Sequence, residues 1–575
     1  MDIIIQKKES IIVHHFSYLL KLTPPKSIFF GLLLALPYSY ASAAAENPPS
    51  ACAELLQHKF SAELKIEIQS AKLNEVEAFC SVNGVVNSRI GIDGKHYGIG
   101  FEMRLPLSWN GRFVYQMNGG NDGAVIPAEG DVFDGRSARA QGYAVLSTNA
   151  GHDGSAAENQ QYGLAAGNRF GLDPQARNDY GFATTATMTP IAHQLLKTFY
   201  GKEAAYSYLS GCSNGGRHGM VAASRYGDMF DGILVGAPGF NLPKAAVQHA
   251  WDVQSTQQVD PKLHNAFSRA DMQLMVNKIT EACDGLDGAK DGLVNNIRQC
   301  QKTFDLNSLR CSGEKNASCL SEVQTKSFAR LMSGPHNSKG KQLYNHWWYD
   351  TGIADEGWRF WKFESPIPPW NNNPLIATMG AGSLAYVFTT PATEVEGSPD
   401  KLLQFLSAFD FDRDAPKIFA TQGEFKKSAM EFMTPPDVDN PKLKNFYKHN
   451  GKLIIYQGQS DPVFSTVDIV DWYDKLNKNY GGKAQNFARL FVVPGMNHCN
   501  GGPATDQFDG LGALVSWVEK GQAPDVIAAK TNPENKSLPP NWSKTRSRPL
   551  CPWPSIATYK SGDIESANSF ACTIE

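Results

Sequence analysis

Residues 206–223, YSYLSGCSNGGRHGMVAA, combine an apolar run, a glycine-flanked serine and a helix-like run. The residues 206–209 predict a short strand, and those from Gly216 onward predict a helix. Between them, Gly211-Cys212-Ser213-Asn214-Gly215 matches the pattern G-x-S-x-G, whose glycines allow a sharp turn that holds the serine above a sheet. Backbone N–H groups at the start of the helix can then stabilise an oxyanion. The arrangement predicts that Ser213 is a nucleophile at the end of a buried strand.

Further apolar runs along the chain also end in glycine-rich or small-residue turns. They lie at residues 112–117, 143–147, 232–235, 453–456 and 490–493. Short runs that are continuously apolar suit strands buried on both faces of a parallel sheet. Helical patterns, such as that from Asp179 to Thr198, lie between them. The alternation predicts an α/β layer fold, and together with the serine motif it predicts an α/β-hydrolase core.

The strand pattern stops between about residues 240 and 440, where prolines, tryptophans and four cysteines occur in irregular sequence. Active sites of open α/β sheets lie outside the carboxyl ends of the strands. We therefore expect residues 240–439 to form a large inserted lid domain over that edge, with residues 44–239 and 440–575 forming the catalytic domain. An independent domain with a separate role is the alternative.

A serine nucleophile needs a base, and the base needs a carboxylate that orients it. In an α/β-hydrolase these residues follow in the order Ser, then Asp or Glu, then His. Asp461, in QGQSDP (457–462), and His498, in PGMNHC (494–499), each come just after a predicted strand and in that order. We therefore predict a triad of Ser213, His498 and Asp461. For Asp461, a plain Ser-Asp-Pro turn is the alternative.

Two other histidines compete with His498 for the role of base. His152 also follows a strand, but it precedes Ser213 in the chain. We therefore interpret His152 as a structural or site-lining residue. His218 lies on the helix after the serine, and we interpret it as a packing or surface residue.

The oxyanion should be held by two backbone N–H groups. One belongs to Asn214, the residue after the nucleophile, and the other to a loop that follows an early strand. The sequence NGGNDG at residues 118–123 is the best candidate for this loop, and Gly120 is the predicted donor.

Charge and composition argue against a polyanionic partner. The 575 residues include 54 Lys and Arg against 57 Asp and Glu, a formal net charge of −3, and no basic block stands out. The electrostatic pattern of a nucleic-acid-binding protein is therefore missing from the sequence.

The N-terminus has the pattern of a secretory signal peptide. Lys21 and Lys26 precede the apolar run 28–36, and small residues follow at 41–45. Residues 1–43 are predicted to be a signal peptide, so we expect a secreted or periplasmic protein with no stable membrane insertion after cleavage. An uncleaved anchor is the alternative, although the apolar run is short for a bilayer.

The ten cysteines suit an exported protein with disulfides. The simplest pairing joins neighbours in sequence: Cys52 with Cys80, Cys283 with Cys300, Cys311 with Cys319, and Cys551 with Cys572. Cys212 and Cys499 remain, and each adjoins a predicted triad residue. A bridge between them would hold Ser213 close to His498, because it needs Cα atoms within about 7 Å. Sequence alone leaves the connectivity open, and two unpaired buried thiols are the alternative for this pair.

A second cluster of polar residues lies at CDGLDGAKDGL, residues 283–293. Aspartates within a short glycine-rich turn suit a hard cation such as Ca²⁺, which prefers oxygen ligands. The candidate ligands are the carboxylates of Asp284, Asp287 and Asp291 and the backbone carbonyls of Ala289 and Leu293. An Asp/Gly turn that caps helices is the alternative.

These motifs resemble the tannase/feruloyl esterase family, and most closely its mono(2-hydroxyethyl) terephthalate hydrolase branch. The family pattern of Cys-Ser, Asp and His-Cys is met at Cys212-Ser213, Asp461 and His498-Cys499. Residues 167–181 and 494–503 extend the resemblance over nearly the whole chain after the signal segment. It implies a lid over the active site, five disulfides paired as above with Cys212 joined to Cys499, and a structural Ca²⁺ at the aspartate turn. We expect a monomer whose partner is a small aromatic ester.

The resemblance carries substrate-binding positions over only in part. Trp361 and Phe464 match aromatic residues that flank the terephthalate ring, and Leu242 and Ser383 match other pocket positions. Leu375 stands where that branch has an arginine that grips the free carboxylate of the substrate. Loss of this charge-assisted contact favours a neutral or phenolic ester, such as a ferulate or gallate ester. Hydrolysis of the terephthalate monoester, and a non-catalytic binding protein of the same fold, are the alternatives.

Overall fold

The computed structural model describes residues 49–60, 65–130 and 135–574. The predicted signal peptide, residues 1–43, lies outside the described residues. Within the described part of the chain, no helix is both long and apolar enough to cross a membrane.

The strands of the described residues form one large sheet and two small ones. They are β1 (Ile66–Asn74), β2 (Phe79–Ile90), β3 (His96–Pro106), β4 (Arg112–Met117), β5 (Ala144–Thr148), β6 (Tyr206–Cys212), β7 (Gly232–Gly236), β8 (Lys452–Gly458), β9 (Ala488–Val493), β10 (Gln507–Phe508), β11 (Ile527–Lys530), β12 (Ser547–Leu550), β13 (Ile556–Tyr559) and β14 (Phe570–Thr573). The large sheet has nine strands in the order β1-β2-β3-β5-β4-β6-β7-β8-β9. Its strands pair in parallel from β5 through β4 to β9 and antiparallel from β1 to β5.

The helices surround the large sheet and fill the insertion. They are α1 (Pro49–Gln57), α2 (Pro174–Asn178), α3 (Thr184–Tyr200), α4 (Asn214–Arg225), α5 (Leu242–Thr256), α6 (Leu263–Ala266), α7 (Arg269–Cys283), α8 (Ile297–Thr303), α9 (Glu322–Met332), α10 (Glu356–Lys362), α11 (Met379–Tyr386), α12 (Pro399–Ser407), α13 (Ala429–Met433), α14 (Lys444–Lys448), α15 (Thr466–Asn479) and α16 (Gly510–Lys520). Short 3-10 turns link several of them.

The six predicted strands are β4 to β9, and their burial explains why the sequence patterns were informative. Strands β5 and β7 are buried at every residue. Successive side chains of a strand point to opposite faces. On β7, Ile233 and Val235 accordingly join one hydrophobic cluster, whereas Leu234 joins another together with Leu514 of α16. The sheet is therefore covered on both faces, as a continuously apolar strand requires.

The chain between β7 and β8 is helical and contains α5 to α14. Local capping sets some of these helices. At the start of α9, Ser321 Oγ accepts a hydrogen bond from Gln324 N (3.2 Å), and Gln324 Oε1 accepts one from Ser321 N (3.1 Å). Such reciprocal capping satisfies backbone donors that a helix start leaves free. The insertion thus has its own local signals, although the division into lid and core at residues 240 and 439 stays a prediction.

The register of the sheet brings the carboxyl ends of the parallel strands to one edge. Cys212, the last residue of β6, pairs with Gly236 at the end of β7. Met117 at the end of β4 pairs with Gly211, and Gly458 of β8 pairs with Val493 of β9. The loops that follow these strands therefore meet at the same edge. The predicted α/β-hydrolase core is confirmed.

Candidate active site

The turn between β6 and α4 holds Ser213 in a strained conformation. Its backbone has φ 63° and ψ −125°, although it is not glycine. Such angles cost energy for a residue with a Cβ and persist where the surroundings impose them. The Ser213 N–H donates to Gly236 O (3.0 Å). A Cβ on Gly215 would lie 2.3 Å from Met117 O, so only glycine permits the close approach of strand and helix.

Ser213, His498 and Asp461 form a hydrogen-bonded chain with His498 in the middle. His498 Nε2 is 2.8 Å from Ser213 Oγ, and His498 Nδ1 is 2.9 Å from Asp461 Oδ2. Ser213 follows β6, Asp461 follows β8 and His498 follows β9. The edge of the sheet thus brings together the three residues predicted from the sequence.

Asp461 is fully buried, and its carboxylate accepts hydrogen bonds at both oxygens. Oδ1 accepts from the backbone N–H groups of Val463 (2.7 Å) and Phe464 (3.1 Å). Oδ2 accepts from the Gln457 side-chain amide at 3.0 Å. These donors hold the carboxylate in the orientation that faces His498. A carboxylate at Nδ1 favours the imidazole tautomer whose Nε2 is free to take a proton.

A disulfide joins the residues beside Ser213 and His498. Cys212 and Cys499 are bonded, with their Cα atoms 6.0 Å apart. The other four bonds join Cys52 to Cys80, Cys283 to Cys300, Cys311 to Cys319 and Cys551 to Cys572. The pairing that the resemblance implied is therefore found throughout. The bond between Cys212 and Cys499 joins the turn after β6 to the loop after β9.

Two carboxylates from the insertion hold the loops that carry Asp461 and His498. Asp350 Oδ2 accepts from Ser460 Oγ (2.6 Å) and from Gly495 N (3.0 Å). Asp355 Oδ2 accepts from the Asn497 amide at 2.6 Å. Burial raises the pKa of Asp350. Sequence reasoning missed both residues, because they lie in an irregular segment more than a hundred residues from the loops they contact.

The loop after β4 lies beside the serine, as predicted for an oxyanion donor. A Cβ on Gly119 would lie 3.9 Å from Ser213 Cβ. Gly120 has φ 61°, which favours glycine, and a Cβ there would lie 4.0 Å from Met379 Sδ. Asn214 begins α4 directly after Ser213. The segments that carry Gly120 and Asn214 thus both lie next to Ser213, and their role as oxyanion donors stays a prediction.

The residues predicted to bind substrate divide into two groups. Trp361 of α10 and Phe464 meet the His498 ring edge to face, with centroids 5.2 and 5.4 Å away. Ser383 of α11 is buried and bonds Asn121 Oδ1 of the loop after β4 at 3.0 Å. Leu375 is partly buried in the turn between α10 and α11, and Leu242 begins α5. Trp361 and Phe464 thus contact the triad at His498.

Both competing histidines are buried. His152 stacks on Phe170 with centroids 3.7 Å apart, and burial lowers its pKa to about 4. His218 Nε2 lies 2.8 Å from Asp122 Oδ2, and burial together with the charge of Arg217 lowers its pKa. Neither is bonded to Ser213. His152 is therefore an internal residue, and its role as a structural or site-lining residue stays a prediction, whereas His218 is an internal packing residue rather than a surface one.

The aspartate turn lies between α7 and α8. Asp284 Oδ1 accepts from the N–H groups of Asp291 (3.0 Å) and Gly292 (2.9 Å), and Asp291 is paired with Arg548. Burial raises the pKa of Asp287 to about 6, and that of Asp284 also rises. Among the described residues, no three His, Cys, Asp or Glu side chains are grouped ready to hold a metal.

As far as the structure describes the chain, the turn contains buried carboxylates that lack a bonded cationic side chain. Three carboxylates are buried within eight residues, and within the described part of the chain Asp284 and Asp287 form no ion pair. Burying carboxylates without a counter-charge is unfavourable. A bound cation with oxygen ligands would supply that charge.

The chain is similar to known proteins over most of its length. The family model for tannase and feruloyl esterase matches residues 80–573. The mono(2-hydroxyethyl) terephthalate hydrolase of Piscinibacter sakaiensis is 40% identical over 529 residues, which are 86% of this chain and 84% of that protein. An esterase structure from Aspergillus oryzae has a TM-score of 0.72 at 22% identity and covers 91% of this chain and 100% of its own. Feruloyl esterase B from the same organism has a TM-score of 0.69 at 21% identity, with the same coverages. At these identities, the two structures show a shared fold.

Proposed function

Because the chain belongs to the tannase and feruloyl esterase family and is therefore a carboxylic ester hydrolase, we propose that it cleaves esters of aromatic acids through an acyl-enzyme on Ser213. The observation that carries the proposal is the pair of distances, 2.8 Å from Ser213 Oγ to His498 Nε2 and 2.9 Å from His498 Nδ1 to Asp461 Oδ2. This spacing suits a base that takes the hydroxyl proton while a carboxylate orients it.

In the first half-reaction, Ser213 Oγ attacks the ester carbonyl carbon while His498 Nε2 takes its proton. Asp461 stabilises the imidazolium that forms. The carbonyl oxygen becomes an oxyanion and accepts hydrogen bonds from the N–H groups of Gly120 and Asn214. His498 then gives its proton to the alcohol oxygen. The C–O bond breaks, the alcohol leaves, and the aromatic acid remains esterified to Ser213.

In the second half-reaction, water replaces the alcohol. His498 takes a proton from the water, whose oxygen attacks the acyl carbon. The same N–H groups stabilise the second oxyanion. The proton then passes from His498 to Ser213 Oγ, the acyl–oxygen bond breaks, and the free acid leaves.

The decisive test replaces the nucleophile. Ser213→Ala should abolish turnover of p-nitrophenyl acetate while leaving the thermal unfolding temperature close to that of the wild type. A fluorophosphonate probe should label the wild type and not the variant. Near-normal turnover by the variant would refute the assignment, and an unlabelled, inactive wild type would instead favour a binding protein of the same fold.

Two aromatic side chains support an aromatic acyl group. The rings of Trp361 and Phe464 both face His498 at centroid distances of 5.2 and 5.4 Å. Aromatic rings pair favourably in stacked or edge-to-face arrangements. We propose that these two side chains flank the ring of the substrate acid, and that Leu242 and Ser383 complete the pocket.

Leu375 is proposed to set the choice among aromatic acids. A leucine offers no hydrogen bond to a free carboxylate, so a ferulate or gallate ester suits the pocket better than the terephthalate monoester. The 40% identical relative nevertheless makes that monoester the second candidate. Values of kcat/KM for methyl ferulate, methyl gallate and the terephthalate monoester should rank the monoester last. If the monoester ranks first, the proposed preference is wrong.

The aspartate turn is proposed to bind a structural Ca²⁺. Asp284, Asp287 and Asp291 would supply carboxylates, and Ala289 and Leu293 would supply backbone carbonyls. The cation would neutralise buried charge at a point distant from the triad loops in sequence. Calcium therefore contributes stability rather than chemistry in this proposal.

Export from the cytoplasm is proposed from the N-terminal pattern and the five disulfides. Disulfides persist in oxidising compartments. Fractionation of a producing cell, with N-terminal sequencing of the mature protein, should find cleavage near residue 43. An intact N-terminus in a cytoplasmic fraction would contradict the proposal.

A further inference from the structure

The side chain of Asp122 joins the loop after β4 to the helix that follows the nucleophile. Its Oδ2 accepts from the Asn214 side-chain amide at 2.7 Å and lies 2.8 Å from His218 Nε2. Asn214 and His218 stand one turn apart on α4. The Asp122 side chain is almost fully buried, at 2% exposure, so the contact is shielded from water. Asp122 thus connects the two segments that carry the oxyanion donors.

Positive φ values mark the backbone of this loop, which is also held by hydrogen bonds from Asp122 N to Gly119 O (3.2 Å) and from Gly123 N to Asn149 O (3.1 Å). Gly120 and Gly123 have φ values of 61° and 81°, and Asp122 has φ 54° despite its Cβ. A non-glycine residue in this region is uncommon and costs energy, although Asp and Asn tolerate it better than other residues. Two hydrogen bonds to the Asp122 side chain favour this conformation. They therefore act on the direction of the nearby Gly120 N–H.

The Asn214 amide lies between opposite charges. Its Oδ1 accepts from Arg217 Nε at 2.6 Å, and its Nδ2 donates to Asp122. Arg217 is fully buried and also donates to the backbone carbonyls of Tyr180 (2.9 Å) and Gly181 (2.7 Å). Only a side chain with both an acceptor and a donor can serve Arg217 and Asp122 together. The amide therefore fixes the first turn of α4, where the Asn214 N–H lies.

We propose that Asp122 is a positioning residue that sets the geometry of the oxyanion hole by clamping the Gly120 loop to Asn214. The proposal rests on the proposed esterase function. Loss of one oxyanion donor lowers kcat by about 10²–10³-fold. A change in the direction of the Gly120 and Asn214 N–H groups should lower kcat by part of that factor. It should destabilise the transition state more than it weakens substrate binding.

The test uses charge exchange between the two clamped side chains. In Asn214→Asp, a second carboxylate faces Asp122 Oδ2 at the 2.7 Å separation that the amide now bridges. The backbone N–H of residue 214 is unchanged. The clamp should open, and kcat for p-nitrophenyl acetate should fall about tenfold or more with KM little changed. Asp122→Asn should lower kcat less, because its amide oxygen can accept both hydrogen bonds.

The double variant Asp122→Asn with Asn214→Asp should recover most of the lost activity. The amide nitrogen of Asn at position 122 has two hydrogens. One can bond the carboxylate at position 214, and the other can bond His218 Nε2 when that nitrogen carries no proton. Arg217 keeps a partner, and the number of carboxylates returns to that of the wild type. Recovery of kcat would show that the contact between these two side chains, and not the identity of either residue alone, sets the activity.

Phenylboronic acid supplies a second readout, because its adduct with the serine places an oxygen where the oxyanion forms. In Asn214→Asp, the inhibition constant of phenylboronic acid should rise by the same factor by which kcat/KM falls. The inhibition constant of a product acid should stay unchanged. Asp153→Asn is the matched control. Asp153 is an exposed aspartate of the next loop, bonded to Ser155 and not to α4.

The outcomes separate this proposal from the proposed function. If Asn214→Asp retains wild-type kcat, or if the double variant is no better than Asn214→Asp, the clamp is refuted. If the wild type itself fails to hydrolyse p-nitrophenyl acetate, the esterase mechanism is refuted, independently of any ratio between variants.

Discussion

Removing the disulfide between Cys212 and Cys499 should lower both the stability and the activity of the protein. The proposed perturbation is the double replacement Cys212→Ala with Cys499→Ala. This bond is the one covalent link beside both Ser213 and His498, whereas the other four disulfides join cysteines at most 28 residues apart. The expected result is therefore different from that of removing any other bond.

The stability loss follows from the length of chain that the bond closes. The chain-entropy relation gives about 5.7 kcal/mol for a separation of 287 residues. For Cys551 and Cys572, with a separation of 21 residues, it gives about 3 kcal/mol. Removing Cys551 and Cys572 is the matched control, because it also deletes one disulfide and two sulfur atoms, but at positions far from the triad in sequence.

The activity loss follows from the distance that the bond holds. The Cα atoms of Cys212 and Cys499 are 6.0 Å apart, and the adjacent residues place Ser213 Oγ 2.8 Å from His498 Nε2. A misplacement of 1 Å at a reacting group can cost about 100-fold in rate. We expect kcat for p-nitrophenyl acetate to fall at least about tenfold in the active-site variant and to stay within twofold in the control.

The assay compares both variants at a temperature where circular dichroism shows each to be folded, with urea unfolding measured alongside. Folded protein with an unchanged kcat after loss of the Cys212–Cys499 bond would refute the reasoning about positioning. An equal loss of kcat in the control would show that general destabilisation, and not the position of the bond, lowers activity.

Four further predictions concern single sites. Asp461→Asn should lower kcat for p-nitrophenyl acetate by about 10⁴-fold, because an amide N–H facing His498 imposes the wrong tautomer; steady-state activity within tenfold of the wild type would contradict the triad. Leu375→Arg should raise kcat/KM for the terephthalate monoester relative to methyl ferulate about tenfold, because a guanidinium pairs with a free carboxylate; an unchanged ratio in paired assays would exclude this position as the selector. EGTA should lower the thermal unfolding temperature of the wild type and have little effect on Asp287→Asn; equal shifts, or none in the wild type, would remove the calcium proposal. In the folded protein the pKa of His152 is about 4 against an ordinary 6.5, so the unfolded chain binds the proton first, and the wild type should lose about 3 kcal/mol of stability relative to His152→Phe as the pH falls from 6.5 to 4; urea unfolding at pH 7 and pH 4 measures this, and parallel pH profiles would contradict it.

Much of the parallel sheet could be predicted because its signals are local. A strand buried on both faces favours a run of consecutive apolar residues. Strands β5 and β7 are buried at every residue and contain the apolar runs Ala144-Val145-Leu146 and Ile233-Leu234-Val235. The antiparallel strands β1 to β3 were missed because their residues alternate between buried and exposed positions or carry polar side chains. In β1 no residue is fully buried, so the run contains no apolar block that would distinguish it from a loop.

The candidate triad could be predicted for a similar reason. A turn as sharp as that at Ser213 needs glycine on both sides, and Asp461 and His498 come directly after strands. Each of the three residues can therefore be recognised from the sequence around it. No local sequence pattern indicates the contacts that hold these residues in place. Asp350 and Asp355 contact Ser460, Gly495 and Asn497 across more than a hundred residues of chain.

By itself, therefore, the amino-acid sequence determined the fold class and the three residues of the proposed triad, since backbone turns and strand burial act over a few residues. Tertiary structure alone decided that Asp122 meets Asn214 beside Ser213. Asp122 lies 92 residues before Asn214, and nothing near either residue indicates that they meet. The physical reason is that a hydrogen bond depends on the position and direction of two groups in space. Those follow only after the loop, the helix and the insertion have packed together.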